Sequence, residues 1–397
     1  MSELSSAGAA TGRRLLTLAG LLLVALNLRP ALTSVSPVLS RVGDSLGLGS
    51  VGEGVLTTMP VLCLGLAAPL APRLARRLGP ERAVLVVLSV LALAMIARPY
   101  TGSTGLFIGT AVAGGCIGVM GVLLPGLVKR DFPERVSVLT GLYTMALCLG
   151  AAVAAGATEP LRLAFGAWQP ALAFWLTPAV IAAIAWYLQL HRRAQPAGRS
   201  RVPTRLHRDP LAWQVTAFMG LQSSLAYTVF GWLPTILADR GLTPVAAGLA
   251  LSVSILIQLA SAIAAPAIGA RMRDQRTVLT GVMLLTLAGL AGCLYAPLAS
   301  IWLWVVVLGL GQGGTFSMAL TLLALRAPNA EAAAALSGMA QGVGYVMAAL
   351  GPLAVGLIHD LAGSWAPIGI LLGLIGLAAI AAGLGAGRDR VIAVPAV

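Results

Sequence analysis

An arginine lies in the middle of an apolar segment, where a charge is most costly. Arg29 is near the centre of residues 15–39, and Thr33 follows four residues later on the same helix face. A guanidinium stays protonated in proteins, so it needs electron-rich partners. At bilayer depth it costs about 3 kcal/mol or more and typically faces a bundle interior or a wet cavity. The segment therefore predicts a site for an electron-rich solute, and a purely structural arginine is the alternative.

Other polar residues within apolar segments could complete this site. Gln341 and Tyr345 are spaced i, i+4 and therefore share a helix face. Cavity lining and hydrogen bonds between helices would both explain such residues. In addition to Arg29, the candidate binding residues are Asn27, Thr33, Tyr143, Gln222, Tyr227, Gln312, Gln341 and Tyr345.

Charged residues near the ends of the apolar segments are candidates for proton coupling. We single out Glu159 and Asp360, with Glu53 and His359 in similar positions. Ordinary interfacial charges are the alternative interpretation. The four cysteines all lie in apolar segments, and two of the three histidines lie in one hydrophilic stretch. No catalytic set or metal spacing results, so we expect neither an enzyme nor a metal or other cofactor.

The composition indicates which elements must position these residues. The chain is 58% apolar and 10% charged, whereas soluble domains carry about 25% charged residues. Uniform apolar runs of about 20 residues predict membrane-spanning helices rather than a β-barrel. The twelve predicted spans are 15–39, 51–71, 82–99, 103–128, 136–157, 168–190, 211–238, 244–270, 277–296, 299–325, 332–358 and 364–385. No span other than the first carries a formal charge deep inside it.

Basic residues are unevenly distributed between the connections of these spans. Of the 26 lysines and arginines, 21 fall near the termini or in alternate connections. This distribution predicts a multi-pass protein of the cytoplasmic membrane with both termini in the cytoplasm. It also argues against nucleic acid as a partner, although the net charge is +13.

The chain divides near its middle. Residues 191–210 form the longest hydrophilic stretch and predict a flexible cytoplasmic linker between six-helix halves at 1–190 and 211–397. With an offset of 197, residues 114–130 align with residues 311–327. Such internal similarity predicts two parallel repeats, the arrangement of major facilitator transporters.

Several motifs resemble the cyanate and nitroimidazole transporter family of the major facilitator superfamily. They are NLRPALTSVSP (27–37), LTTMP (56–60), LLPGLVKRDFPE (123–134), GWLPTIL (231–237), LSGMAQGVGY (336–345) and GAGRDR (385–390). The resemblance implies twelve helices with a solute site between the halves, and it places family positions on Asn27, Arg29 and Gln341. The connection after the second span lacks the aspartate usual in the superfamily, which puts the usual gating contact of that connection in doubt.

We therefore predict an all-α membrane protein of the major facilitator fold, acting as a secondary transporter. Its substrate would be a small polar or anionic compound such as cyanate, a nitroimidazole or a carboxylate. No nucleotide-binding segment is present, so a proton gradient or solute exchange would drive transport. One alternative is a proton-coupled efflux pump for drugs or metabolites. Cationic substrates of such a pump would suit a buried acid, and we find none deep in the spans. The other alternative is a sensor or a membrane enzyme. The expected partners are a small solute, the lipid bilayer and, in one version, protons, and the expected state is a monomer.

Overall fold

The computed structural model of the protein describes residues 16–132, 136–190, 206–328 and 330–392. Long α-helices connected by short turns make up most of these ranges. The helices are α1 (16–26), α2 (Pro30–Thr33), α3 (Leu39–Leu46), α4 (Ser50–Ala67), α5 (Leu70–Leu78), α6 (Pro80–Ala97), α7 (Gly102–Asp131), α8 (Val136–Phe165), α9 (Trp168–Ala173), α10 (Leu176–Leu190), α11 (Pro210–Asp239), α12 (Pro244–Gly269), α13 (Arg276–Tyr295), α14 (Ile301–Leu325), α15 (Ala330–Ala362) and α16 (Ala366–Ala386).

The first span is broken into three helices, α1, α2 and α3. Residues 27–29 form a turn, and Pro30 then opens the four-residue α2 at a position that needs no backbone donor. A 3₁₀ turn at Ser36–Val38 contains Pro37 and leads into α3. In a membrane, irregular backbone is tolerated where it is enclosed by protein or lines a cavity. The break therefore places the residues around Arg29 inside the bundle.

The helix α11 differs from the other long helices in its polarity. Eleven segments of the described chain are long and apolar enough to cross a membrane, and α11 is not among them although it has 30 residues. It carries Gln222, Ser223 and Thr228, and all three are buried. Neighbouring helices, rather than lipid, surround these side chains. We therefore assign α11 as the seventh of the twelve predicted spans.

Two pairs of helices join the first six spans to the last six. The helix α4 packs along α15, and α8 packs along α12. A Cβ atom added to Gly54 would lie 3.2 Å from the Cα atom of Gly356, and one added to Gly248 would lie 2.8 Å from the carbonyl oxygen of Ala155. Glycine at these positions allows the backbones to approach closely.

Two helices continue further than the hydropathy predicts. The helix α8 ends at Phe165 rather than at 157, and α15 ends at Ala362 rather than at 358. Hydropathy places the end of a span at its first charges, but the helical hydrogen bonds continue past them. The predicted linker lies mostly outside the described residues, and the division of the chain into two halves stays a prediction.

Candidate substrate-binding site

The guanidinium of Arg29 lies between two phenylalanine rings. Its Cζ atom is 5.4 Å from the ring centroid of Phe230 on α11 and 5.8 Å from that of Phe316 on α14. The side chain is half-buried, and it makes no hydrogen bond or ion pair with any residue that the structure describes. Cation–π contacts stabilise a guanidinium but do not neutralise it. The positive charge of Arg29 is therefore available to a solute.

The backbone of Arg29 begins the short helix α2, which Thr33 ties to the neighbouring α8. The carbonyl oxygen of Arg29 accepts hydrogen bonds from the amides of Leu32 and Thr33, at 2.9 and 3.1 Å, and so begins α2. The hydroxyl of Thr33 donates to the carbonyl oxygen of Ala151 at 3.0 Å and is fully buried. Thr33 thus ties α2 to α8, and its hydroxyl proton is already used within the protein.

The side chain of Asn27 has other hydrogen-bond partners than the site around the Arg29 guanidinium. Its amide nitrogen donates to the carbonyl oxygens of Leu23 at 2.7 Å and of Pro178 at 3.0 Å. The side chain is almost completely buried. This geometry gives Asn27 a role in joining α1 to α10, and it does not bring the amide together with the aromatic residues around Arg29.

Aromatic residues from α11 and α15 surround the same region. Tyr227 packs edge to face against Phe230 and Tyr345, with ring centroids 6.0 and 5.9 Å apart. Tyr143 on α8 is half-buried and packs against the hydrophobic core. The structure thus brings together the predicted residues Arg29, Tyr227 and Tyr345 around Phe230.

The predicted glutamines are only partly satisfied by the protein. Gln222 donates to the hydroxyl of Ser223 at 2.7 Å, and Gln341 donates to that of Ser337 at 2.7 Å. Gln312 accepts a long hydrogen bond of 3.4 Å from Gln258. Among the described residues, the carbonyl oxygen of Gln222 and the amide nitrogen of Gln312 have no partner. A buried amide group without a partner costs about 1–3 kcal/mol, so both are suited to contact a solute or water.

Sequence reasoning missed Phe230, Phe316 and Arg98. Phenylalanine in an apolar span carries no signal of its own, although Phe316 follows Gln312 by four residues and so shares its helix face. Arg98 lies at the end of the third predicted span and is fully buried. The side chain of Arg98 turns into the protein at the end of α6, and hydropathy does not reveal this direction.

A larger cavity lies at the end of the bundle where α3 meets α4 and α11 meets α12, hereafter the outer end. Its volume is about 230 Å³, and its lining includes Arg41, Asp44, Glu159 and Asp239. Glu159 accepts two hydrogen bonds of 2.8 Å from Arg162 on the same helix. Both carboxylate oxygens of the predicted coupling residue Glu159 are thus engaged by Arg162.

The other coupling candidate, Asp360, is exposed near the end of α15. The neighbouring His359 hydrogen-bonds to the Ser50 hydroxyl at 3.2 Å and stacks on Trp365. His359 therefore connects α15 to the start of α4. In the part of the chain that the structure describes, no group of three or more histidine, cysteine or acidic side chains could hold a metal ion.

At the opposite end of the bundle, an ion pair lies near the connection that lacks the aspartate usual in the superfamily. Arg130 at the end of α7 pairs with Glu81 at the start of α6, at 2.6 Å. Partial burial lowers the pKa of Arg130, but the hydrogen bonds with Asp131 and Glu81 outweigh this effect and raise the pKa above its ordinary value. The third and fourth spans are thus joined by Glu81, which follows the arginine-rich helix α5.

Comparison with known proteins agrees with this architecture. The model of the Major Facilitator Superfamily matches residues 18–352. The chain is 38% identical over 387 residues to the 2-nitroimidazole transporter of Escherichia coli (strain K12), which covers 96% of this chain and 97% of that protein. It is 30% identical over 347 residues to the cyanate transport protein CynX of the same organism, covering 87% and 90%.

A solved structure shows the same fold. The crystal structure of a D-xylose-proton symporter aligns with a TM-score of 0.76 over 95% of this chain and 97% of that chain, at 13% identity. At this identity the likeness concerns the fold alone. The chain therefore belongs to the major facilitator superfamily of membrane transporters, in the branch that contains the cyanate and 2-nitroimidazole transporters, and it is not an enzyme.

Proposed function

We propose that this protein moves a small anion or a strongly polar compound, such as a nitro compound, across the cytoplasmic membrane, with Arg29 as its principal ligand. The observation that carries the proposal is the guanidinium of Arg29, which lies between Phe230 and Phe316 with no carboxylate paired to it among the described residues. A charge left unpaired inside a bundle is costly unless a solute provides the missing partner.

The names of the relatives support the same class of solute. One relative is a transporter of 2-nitroimidazole and another transports cyanate. Cyanate is a small anion, and a nitro group presents two electron-rich oxygens. A guanidinium offers a planar fork of donors that matches two such oxygens. The phenols of Tyr227 and Tyr345 and the unpaired amide of Gln312 would complete the site, while Asn27 and Thr33 would support the helices around it.

We also propose that transport occurs by alternating access, with the six-helix halves at 1–190 and 211–397 rocking about this site. The contacts α4–α15 and α8–α12 would be the surfaces that slide. Both termini would lie in the cytoplasm, and the protein would act as a monomer. Proton coupling would need a carboxylate that binds and releases a proton, and Glu159 is the less suited candidate because Arg162 holds it. Without such a group, transport would proceed by exchange.

The test is uptake by the purified protein in proteoliposomes, with cyanate, nitroimidazoles and small carboxylates as separate solutes. We expect one of these classes to be taken up, and Arg29→Ala to raise its KM at least about tenfold. Arg271→Ala is the matched control, since it removes an exposed arginine. Normal KM for folded Arg29→Ala protein would contradict the proposed role of Arg29.

A further inference from the structure

Arg98 is a second arginine inside the protein, and nothing in the transport chemistry described above uses it. It follows the last residue of α6, and its side chain is fully buried. No carboxylate of the described chain pairs with it, and its Nε atom has no hydrogen-bond partner there. Burying a cation without an acid is expensive, so the contacts that it does make need an explanation.

Those contacts all go to the broken first span. One terminal nitrogen of Arg98 donates to the carbonyl oxygen of Ala31 at 2.9 Å. The other terminal nitrogen donates to the hydroxyl of Ser34 at 3.3 Å. Ala31 lies within α2, and Ser34 is the residue directly after it. Arg98 therefore holds α2 from the side of the third span.

The neighbouring helix makes room for this arrangement. A Cβ atom added to Gly109 on α7 would lie only 2.5 Å from the Cβ atom of Arg98. Only glycine can therefore stand beside the Arg98 backbone at this position. The close approach of α6 and α7 at Arg98 thus depends on glycine at position 109.

The helix α2 and Arg29 form one unit. The Arg29 carbonyl oxygen accepts the first hydrogen bonds of α2, and on its other side α2 is tied to α8 by the bond from Thr33 to Ala151. A shift of α2 would therefore carry the Arg29 backbone with it. Because a displacement of about 1 Å can strongly weaken a binding or catalytic geometry, the position of α2 matters for the solute.

We propose that Arg98 is a positioning residue for the solute site, because it fixes α2 so that Arg29 points between Phe230 and Phe316. The inference rests on the proposed function of Arg29. Arg98 itself does not touch the solute and acts through the backbone at Ala31 and the hydroxyl at Ser34.

The test compares KM and maximal uptake for Arg98→Met, Arg98→Lys and Ser34→Ala. Methionine fills similar space without a donor, whereas lysine keeps one donor for the Ala31 carbonyl. We expect Arg98→Met to raise KM about tenfold. Arg98→Lys should recover most of this loss, and Ser34→Ala should have a smaller effect.

The matched control is Arg326→Met. Arg326 is also buried, and it donates to the carbonyl oxygens of Ala386 and Gly387 at the opposite end of the bundle. It does not contact the first span, so its loss should lower thermal stability without a change in KM.

A double-mutant cycle with Arg29→Lys separates positioning from general destabilisation. If Arg98 acts through Arg29, Arg98→Met should raise KM much less in the Arg29→Lys protein than in the wild type. Equal effects in both backgrounds, or an unchanged KM in folded Arg98→Met protein, would overturn the inference. If Arg98→Met does not fold, an unchanged KM in Ser34→Ala would overturn it. A normal KM for Arg29→Ala would instead refute the proposed function itself.

Discussion

The hydroxyl of Ser36 donates a hydrogen bond of 2.8 Å to the carbonyl oxygen of Gly231, and both residues are buried. This contact joins the first span to α11. A small cavity of about 20 Å³, lined by Ala31 and Phe230 among others, reaches Gly231 from the side of the Arg29 site. The larger outer cavity of about 230 Å³ reaches Ser36. The contact between Ser36 and Gly231 therefore lies between the two cavities, and we expect it to help close the path between Arg29 and the outer end.

Gly231→Ala should open the outer end. The added Cβ atom would lie 3.0 Å from the Cβ atom of Thr57 on α4, so Thr57 or one of the two helices would have to shift by a few tenths of an ångström, which would weaken the contact between Gly231 and Ser36. We expect a longer distance between probes attached to the outer ends of α3 and α11, measured by spin labels. Gly281→Ala is the control, since nothing lies within 4 Å of its added Cβ atom. An unchanged distance in Gly231→Ala would show that this contact does not keep the outer end closed.

Removal of either phenylalanine ring should weaken solute binding. Leucine at 230 or 316 keeps an apolar side chain but loses the ring that faces the Arg29 guanidinium. We expect the Kd, measured by calorimetry on the purified protein, to rise about two- to tenfold. Phe174→Leu serves as the comparison, because Phe174 packs on Phe165 and Trp175 away from Arg29. A wild-type Kd in the Phe230→Leu and Phe316→Leu proteins, as expected for Phe174→Leu, would argue against a role for the two rings.

Cys148 should report access to the site. It is half-buried on α8, the helix to which Thr33 ties the short helix α2 beside Arg29. A positive charge attracts anions, so a negatively charged thiol reagent should inactivate transport faster than a positively charged reagent of similar size. Bound solute should slow the reaction, and Cys148→Ala should be resistant. Cys63 is also half-buried, so it provides the control. The Cys63→Ala protein keeps Cys148 and should remain sensitive to the reagent. Equal rates for the two reagents would contradict an unneutralised charge at Arg29.

Gly118→Ala should destabilise the packing of α7 on α4. The added Cβ atom would lie 2.2 Å from the carbonyl oxygen of Leu64, which cannot move without a shift of α4. Overpacking of this kind costs about 1–3 kcal/mol. We expect a lower apparent unfolding temperature of the detergent-purified protein. Gly126→Ala, on the same helix with nothing within 4 Å of its added Cβ atom, should unfold like the wild type.

The sequence predicted the spans and the importance of Arg29 for the same reason. Both depend on the cost of moving polar or charged groups out of water, which can be read along the chain without knowledge of contacts. It overlooked Arg98, because hydropathy marks where a span ends but not whether the last side chain turns inward. Hydropathy did not single out Phe230 and Phe316, because their importance depends on a cation from another helix.

Because burial energy is a local property of each segment, the order of residues alone predicts a bundle of membrane-spanning helices with one costly charge in its first span. What each polar residue faces depends instead on how the helices pack. This packing turned Asn27 toward Pro178 and Thr33 toward Ala151, while it left Arg29 unpaired between two rings. Helix rotation and the contacts of residues far apart in the chain set these directions, and they arise only when the helices pack together.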